Sequence, residues 1–72
     1  MLAHTRSLIT LSALISGGNF EQLPAHLRIG KNNGITPKEI AEVITHLAFY
    51  VGWPKAWSAF QIAKTIFAED TK

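Results

Sequence analysis

The stretch from Glu42 to Tyr50 carries side chains that are suited to acid–base chemistry. A carboxylate, an imidazole and a phenol follow one another there at intervals of four residues, in Glu42, His46 and Tyr50. On a helix, side chains four residues apart lie on one face and can contact each other. A carboxylate beside an imidazole favours the protonated ring and holds it in one orientation, as a general acid requires. His46 oriented by Glu42 is therefore one hypothesis for a catalytic group.

Other interpretations of this polar row stay open. Glu42 and His46 could form a surface ion pair, which contributes only about 0.3–0.5 kcal/mol, or a buried pair that fixes the register of an interface. A metal site that adds His26 to them is less favoured, because the zinc-binding spacing His-Glu-x-x-His does not occur. Tyr50 can simply close a packing gap, and Trp53 can be a hydrophobic anchor.

The composition excludes several classes of protein. Seventy-two residues are enough for one domain. There is no cysteine, which excludes disulfides, thiolate zinc sites and thiol redox chemistry. The seven Lys and Arg residues are spread along the chain and the net charge is only +2, so we expect no nucleic-acid partner. The sequence contains no run of about 18 apolar residues, so no membrane span is predicted. We expect a cytoplasmic protein.

Hydrophobic periodicity predicts an all-α fold of about four helices, packed as helix hairpins, and no strands. The first helix is predicted from about Leu2 to Ile15, with Gly17-Gly18 as its stop. A signal peptide or mitochondrial presequence is the less favoured alternative for this segment, because Thr10 and Ser12 interrupt its apolar stretch.

The second helix is predicted to start between Asn19 and Pro24. Asn19, followed three residues later by Gln22, resembles a capping box, and proline is well tolerated in a first helical turn. The helix is predicted to stop at Asn33-Gly34. Its apolar side is formed by Phe20, Leu23 and Leu27.

The third helix has the clearest boundaries. Thr36 can cap it, Pro37 suits the first helical position, and Glu39 can reach back to the amide of the cap. Gly52 can adopt the positive φ that ends it. Pro54 is predicted to open the fourth helix. The apolar residues of that helix recur about one turn apart, at Trp57, Phe60, Ala63 and Phe67, and its acidic end, residues 69–70, is expected to fray.

The third helix has two apolar faces. One side is expected to face the core of this chain; it carries Ile40, Val43, Ile44, Leu47 and Val51. Glu42, His46 and Phe49 project on nearly the opposite side. A domain of this size buries only about 60–65% of its unfolded surface, and 47% of its residues are apolar against 17% charged. We therefore expect another copy of the chain to cover the second face.

Three stretches of the sequence resemble the carboxymuconolactone decarboxylase family. They are RSLITLSALI at residues 6–15, LPAHL at residues 23–27 and NGITPKEIAEVITHLAFYVGWP at residues 33–54. The likeness runs from about Thr5 to Ala68, which is nearly the whole of the single domain 1–72. Its most specific part lies between Gly34 and Pro54, where the glycines, the helix cap and the polar row fall at the spacing of the family.

The resemblance implies an all-helical subunit that assembles into homotrimers or homohexamers. It also implies a carboxy-lyase activity: the decarboxylation of a carboxylated butenolide in the breakdown of aromatic compounds, without a metal or organic cofactor. Typical members begin one or two helices earlier, so the chain resembles the core of the family with its N-terminal helices missing. The alternative is a non-catalytic oligomeric module whose Glu42–His46 pair sets the register of an interface.

Two departures from the family pattern concern chemistry. The alkylhydroperoxidase-D-like branch uses a Cys-x-x-Cys pair separated by three residues from a histidine. Matching that histidine to His26 puts Asn19 and Gln22 at the cysteine positions, which excludes peroxidase activity. Many members carry a glutamate after their first arginine, and here that position is Ser7.

The implied decarboxylation assigns a role to each candidate. Electrons left by the departing CO2 spread onto the lactone carbonyl oxygen, and an acid must then protonate the ring carbon. His46, oriented by Glu42, is the candidate acid, and His26 is the candidate oxyanion donor or second acid. Either of two arginines could hold a carboxylate of the small anionic substrate. The substrate-binding candidates are thus Arg6 or Arg28, with Tyr50 and Trp53 as walls of the pocket. His26 could instead be a packed side chain without a catalytic role, and Arg28 could be a solvated surface residue. His4 is expected to be a surface residue.

Overall fold

A computed structural model describes residues 1–69. Within that range the chain forms four α-helices and no strand, as the periodicity predicts. The helices are α1 (Ala3–Gly17), α2 (Leu23–Asn32), α3 (Pro37–Val51) and α4 (Trp53–Ala68). Helix α1 packs on α2 and α3 packs on α4, while α4 also contacts α2 and α1. No helix in this part of the chain is long and apolar enough to cross a membrane.

The connection between α1 and α2 differs from its prediction. Gly18, at φ 70° and ψ 25°, closes α1 in the left-handed conformation, as the glycine pair indicates. Asn19 does not open α2, because its backbone N–H donates to the Leu14 carbonyl at 2.9 Å and so completes the end of α1. Helix α2 begins at Leu23, and the residue before it makes no side-chain cap. The predicted capping box at Asn19 is therefore wrong.

The boundaries of α3 follow the prediction closely. The Thr36 hydroxyl accepts a hydrogen bond from the Glu39 backbone N–H at 3.1 Å, and the Glu39 carboxylate accepts one from the Thr36 N–H at 3.0 Å. This reciprocal pair satisfies two donors that a helix start otherwise leaves unpaired. At the other end Gly52 has φ 97° and ψ 151°, so its φ is positive but its ψ is extended. That conformation, which only glycine adopts readily, joins α3 to α4 through a single residue.

The core agrees with the predicted apolar sides of α2 and α3, where Leu23, Leu27, Ile40 and Ile44 are buried, and it corrects the predicted stripe of α4. Its buried apolar residues are Leu11, Ile15, Leu23, Leu27, Ile35, Ile40, Ile44, Ala48, Ala56, Ala59, Ala63 and Ile66. Of the predicted α4 stripe, Ala63 is buried and Phe67 packs partly against the core, whereas Trp57 and Phe60 are exposed. Three alanines of α4 face inward instead, and such small side chains let helices pack closely. The large rings of Trp57 and Phe60 therefore lie on the solvent side of α4.

The outer surface of α3 and the start of α4 form an aromatic face, defined here as Phe49, Tyr50, Trp53 and Trp57. Each of these side chains is between 61% and 75% exposed. The Phe49 and Trp53 rings meet edge to face with their centroids 5.6 Å apart, so the face continues from one helix to the next. The prediction of a two-faced α3 is confirmed, because Ile40 is buried on the other side of the helix. Its covering by another copy stays a prediction.

Candidate functional site

The candidate residues fall into two groups on different sides of α1. Glu42 and His46 line two open grooves, one of about 320 Å³ between α1 and α3 and one of about 460 Å³ on the outer side of α3. Arg6 and His26 line a cavity of about 210 Å³ between α1 and α2, which we call the Arg6–His26 cavity. No residue lines both the cavity and a groove. Within one chain, therefore, the three catalytic candidates do not share a cavity.

The α3 group forms a ridge between its two grooves. The first groove runs between α1 and α3, where Leu8 and Ser12 form its other wall; the second lies beside Lys38 and Phe49. Because Glu42 and His46 line both, a molecule in either groove would meet the same acid and imidazole. Both side chains are exposed, and among residues 1–69 they form no hydrogen bond or ion pair with each other. The orientation of the His46 ring by Glu42 stays a prediction.

The aromatic candidates lie next to this ridge but do not enclose it. The Tyr50 ring lies with its centroid 5.0 Å from that of His46, tilted by 38°. Trp53 lines a different groove of about 200 Å³, between α3 and α4, together with Trp57 and Phe60. Their predicted role as walls of a substrate pocket stays a prediction for the single chain.

Glu39 joins the same region through a contact that the sequence did not indicate. The His4 Nε2 atom lies 3.0 Å from both Glu39 carboxylate oxygens and ties α1 to the first turn of α3. His4 lies at the surface as expected, but it is half-buried and paired with Glu39. The hydrogen bond from His4, followed by that from the Thr36 backbone, lowers the pKa of Glu39 below its ordinary value of 4.5. A charged carboxylate at the α3 N-terminus also matches the helix dipole.

The Arg6–His26 cavity is built from the facing sides of α1 and α2. Ser7 is only 7% exposed, and its Oγ accepts a hydrogen bond of 2.9 Å from Asn33 Nδ2. Ser7 continues the buried stripe of α1, four residues before Leu11, so its burial could have been read from the periodicity. His26 is half-buried and lines the cavity, beside the apolar stripe of α2 as expected. Asn33, which the sequence did not single out, links the end of α2 to this cavity.

Two further observations concern Arg28 and the metal alternative. Arg28 donates from Nε and Nη2 to the Glu69 carboxylate at 3.2 and 2.8 Å, and this hydrogen-bonded ion pair raises the pKa of Arg28. In the single chain Arg28 is therefore paired with Glu69 at the exposed surface. Across residues 1–69 of one chain, no three His, Asp or Glu side chains are placed to hold a metal ion.

Comparison with known proteins agrees with the architecture and the motifs. The model of the carboxymuconolactone decarboxylase family matches residues 3–65. The 4-carboxymuconolactone decarboxylase of Acinetobacter baylyi is 39% identical over 66 residues, which are 92% of this chain and 49% of the relative. The nitrosuccinic acid decarboxylase npaB of Metarhizium robertsii is 40% identical over 62 residues, 85% of this chain and 43% of the relative. An uncharacterized 15.0 kDa protein of Paracoccus denitrificans is 36% identical over 70 residues, 94% of this chain and 52% of the relative. The chain thus spans about half the length of the curated relatives it matches.

Proposed function

This chain belongs to the carboxymuconolactone decarboxylase family, and we propose that it removes CO2 from a small carboxylated lactone, or from a related organic acid, without a cofactor. Two relatives are named as decarboxylases of 4-carboxymuconolactone and of nitrosuccinic acid. A lactone carbonyl and a nitro group share one chemical property, since each accepts the electron pair that departing CO2 leaves behind. A substrate of this kind is its own electron sink, and the protein need supply only charge stabilisation and a proton.

The observation that carries the proposal is the ridge of α3. Glu42 and His46 line the same two grooves, so an imidazole and a carboxylate meet any molecule that enters them. In this proposal His46 in its protonated form donates the proton to carbon after CO2 has left. The same proposal gives Glu42 the role of orienting the His46 ring once the ridge is covered. General acid catalysis of this type contributes about 10²–10⁴-fold to a rate.

The second part of the proposal is that another copy of the chain covers this ridge, in a homotrimer or homohexamer. The aromatic face beside the ridge leaves large apolar side chains in water, and an exposed patch of that kind marks an interaction surface. Covering the ridge would remove water from Glu42 and His46, which strengthens the attraction between their charges. It is also the way in which His26, from the other side of α1, could join His46 in one site.

A non-catalytic oligomeric module is the second candidate, and one observation favours it. The two grooves are open to solvent in the single chain, and the exposed acid and imidazole make no bond to each other within residues 1–69. In that case Glu42 and His46 would pair across or along an interface and fix its register, which is the best attested use of a buried polar pair. The two candidate functions predict different effects of removing Glu42 or His46: one predicts loss of turnover and the other predicts loss of assembly.

The test is a decarboxylation assay of the wild type and of His46→Asn and Glu42→Gln. The purified chain is incubated with 4-carboxymuconolactone or with nitrosuccinic acid, and CO2 release and the product are followed by NMR against a protein-free blank. We expect turnover by the wild type, and a loss of about 100-fold or more in His46→Asn with the fold and the assembly retained. Glu42→Gln should lose less, because it removes the orienting group and leaves the proton donor.

Glu21→Gln is the matched control, since it also neutralises an exposed carboxylate but lies outside both grooves. It should retain full turnover. If both ridge variants fall apart into monomers while the wild type releases no CO2 above the blank, the register role is correct and the decarboxylase proposal fails. If the wild type turns over and His46→Asn is equally active, the assignment of the proton donor fails.

A further inference from the structure

We propose that Lys38 binds a carboxylate of the substrate and thereby directs the substrate to one of the two grooves beside the ridge of α3. We call the groove that Leu8 and Ser12 line the α1–α3 groove, and the groove that Lys38 and Phe49 line the outer groove. The assignment rests on the proposed function, in which an organic acid reacts at the ridge. Because the ridge borders both grooves, their other residues decide which groove takes an anion.

The two grooves differ in charge. Besides Glu42 and His46, the α1–α3 groove is lined by a second carboxylate, that of Glu39, and by no lysine or arginine. The outer groove is lined by Lys38 and by no second carboxylate. Since like charges repel and opposite charges attract, a small anion is disfavoured in the α1–α3 groove and favoured in the outer one.

Two consecutive residues of α3 place these opposite charges on different sides of the helix. Lys38 is followed directly by Glu39, and consecutive helical residues point about 100° apart. Glu39 is held on the side of α1, because His4 Nε2 lies 3.0 Å from both of its carboxylate oxygens. The same hydrogen bond lowers the pKa of Glu39, so this carboxylate is charged at neutral pH. Its charge therefore stays in the α1–α3 groove.

The Lys38 ammonium is available to a ligand. The side chain is exposed, and within residues 1–69 it forms no hydrogen bond or ion pair. Glu42 follows one helical turn later, but such exposed pairs contribute only about 0.2–0.5 kcal/mol, and lysine before glutamate is the weaker order. Lys38 also lies in the first turn of α3, where the partial positive charge of the helix end favours a bound anion.

The spacing along α3 suits a molecule with two acidic groups. Lys38 and His46 are eight residues apart, which is about 12 Å along the helix axis, and the flexible four-carbon stem of lysine can cover part of this distance. The two acids of the proposed assay, 4-carboxymuconolactone and nitrosuccinic acid, each have two carboxyl groups. One group leaves as CO2. The retained carboxylate can then lie at Lys38 while the carbon that loses CO2 faces His46.

Titration with a non-reactive acid tests the assignment without turnover. Succinate is added to the wild type, and the methyl signals of Thr45 in the outer groove and Leu8 in the α1–α3 groove are followed by NMR. We expect saturable shifts for Thr45 and none for Leu8. Succinamide, which has the same length and no charge, should bind at least about tenfold more weakly, because it cannot form a charge-assisted hydrogen bond with the ammonium.

Substitutions of Lys38 measure its share of the binding. Lys38→Gln should weaken succinate binding by about tenfold for the same reason, and Lys38→Arg, which keeps the charge, should retain most of the affinity. Lys55→Gln is the matched control, since it removes the same charge from an exposed position on α4 outside both grooves. Its affinity for succinate should equal that of the wild type.

Kinetics separate this assignment from the proposed function. With either acid, Lys38→Gln should raise KM by about tenfold and change kcat little, because the carboxylate that it binds is not the one that reacts. Absence of saturable succinate binding would overturn the assignment. Shifts for Leu8 instead of Thr45, or equal affinities of Lys38→Gln and the wild type, would overturn it as well. Succinate binding at Lys38 without decarboxylation of either acid would contradict the proposed function alone, and turnover with an unchanged KM in Lys38→Gln would contradict only the role of Lys38.

Discussion

Two sides of the molecule differ in which side chains they bury. One side is formed by α1 and α2, and the other is the outer side of α3 and α4. Between α1 and α2 the buried hydroxyl of Ser7 receives a hydrogen bond from Asn33, and this chain itself covers Leu11, Leu23 and Leu27. On the outer side of α3, Glu42 and His46 face solvent beside four exposed aromatic residues.

In the proposed assembly, this difference separates what one copy of the chain builds from what a neighbouring copy would complete. The α1–α2 side already has a cavity with a defined set of donors. The ridge of α3 has the residue types for acid–base chemistry but lacks a wall that would exclude water. We therefore expect substitutions on the two sides to respond differently to protein concentration, and the following predictions use that contrast.

Leu27→Ala should give the largest loss of stability. Leu27 is 1% exposed and lies in the core of a single chain. Truncation of such a leucine costs about 2–5 kcal/mol, whereas the core of a domain this small supplies only about 3–5 kcal/mol. Thermal and urea unfolding midpoints should fall strongly, and by a similar amount at every protein concentration. An unchanged midpoint would mean that the α1–α2 core does not hold the chain together.

Trp57→Ala should have a smaller effect that depends on concentration. Trp57 is 62% exposed in the single chain, so its removal costs little there, but an aromatic anchor in an interface contributes about 2 kcal/mol or more. The melting temperature of the wild type should rise with protein concentration, because association stabilises the folded state. The variant should lose that rise, while Ile9→Ala, an exposed apolar control on α1, should keep it. Identical melting curves for wild type and Trp57→Ala at all concentrations would contradict the covering of the aromatic face.

The smallest predicted effect is the pH dependence that arises from Glu39. Its pKa is lowered in the folded chain, mainly by the hydrogen bond from His4. The unfolded state therefore binds the proton more readily, and the stabilisation is present above the ordinary pKa of 4.5 and lost as the pH falls through the folded value. Urea midpoints from about pH 6 to about pH 3 should fall in the wild type and fall less in Glu39→Gln. The Glu21 side chain makes no hydrogen bond within residues 1–69, so the urea midpoint of Glu21→Gln should fall with pH like that of the wild type.

Most features that depend on neighbours in the sequence were predictable, with the capping box at Asn19 as the exception. The capping box of Thr36 and Glu39 spans three residues, and local hydrogen bonds decide it. The buried stripes of α1 and α3 follow from the helical period, because Leu11 and Ile15, or Ile40 and Ile44, recur on one side. The end of α1 was predictable as well, since Gly18 supplies the backbone conformation that closes a helix.

Features that depend on distant contacts were not predictable. In α4 apolar residues occur all round the helix, so the period alone could not decide that Ala56 and Ala59 face inward and Trp57 outward. The pair of His4 and Glu39 joins residues 35 positions apart, and no local signal marks it.

The candidate site shows the same limit. Four-residue spacing placed Glu42 and His46 on one ridge. The separation of His26 from them depends on which sides of α1 the other helices occupy, and the sequence does not show this.

The central claim is that another copy covers the ridge of α3 and the aromatic face beside it. The most direct test is the mass of the wild-type chain in solution at micromolar concentration, measured by light scattering after size exclusion, with Phe49→Glu as the disrupting variant. We expect a multiple of the 7.9 kDa chain mass for the wild type, most simply a trimer or a hexamer, and a shift to the monomer in Phe49→Glu with the helical content retained. A wild-type monomer at that concentration would contradict the account.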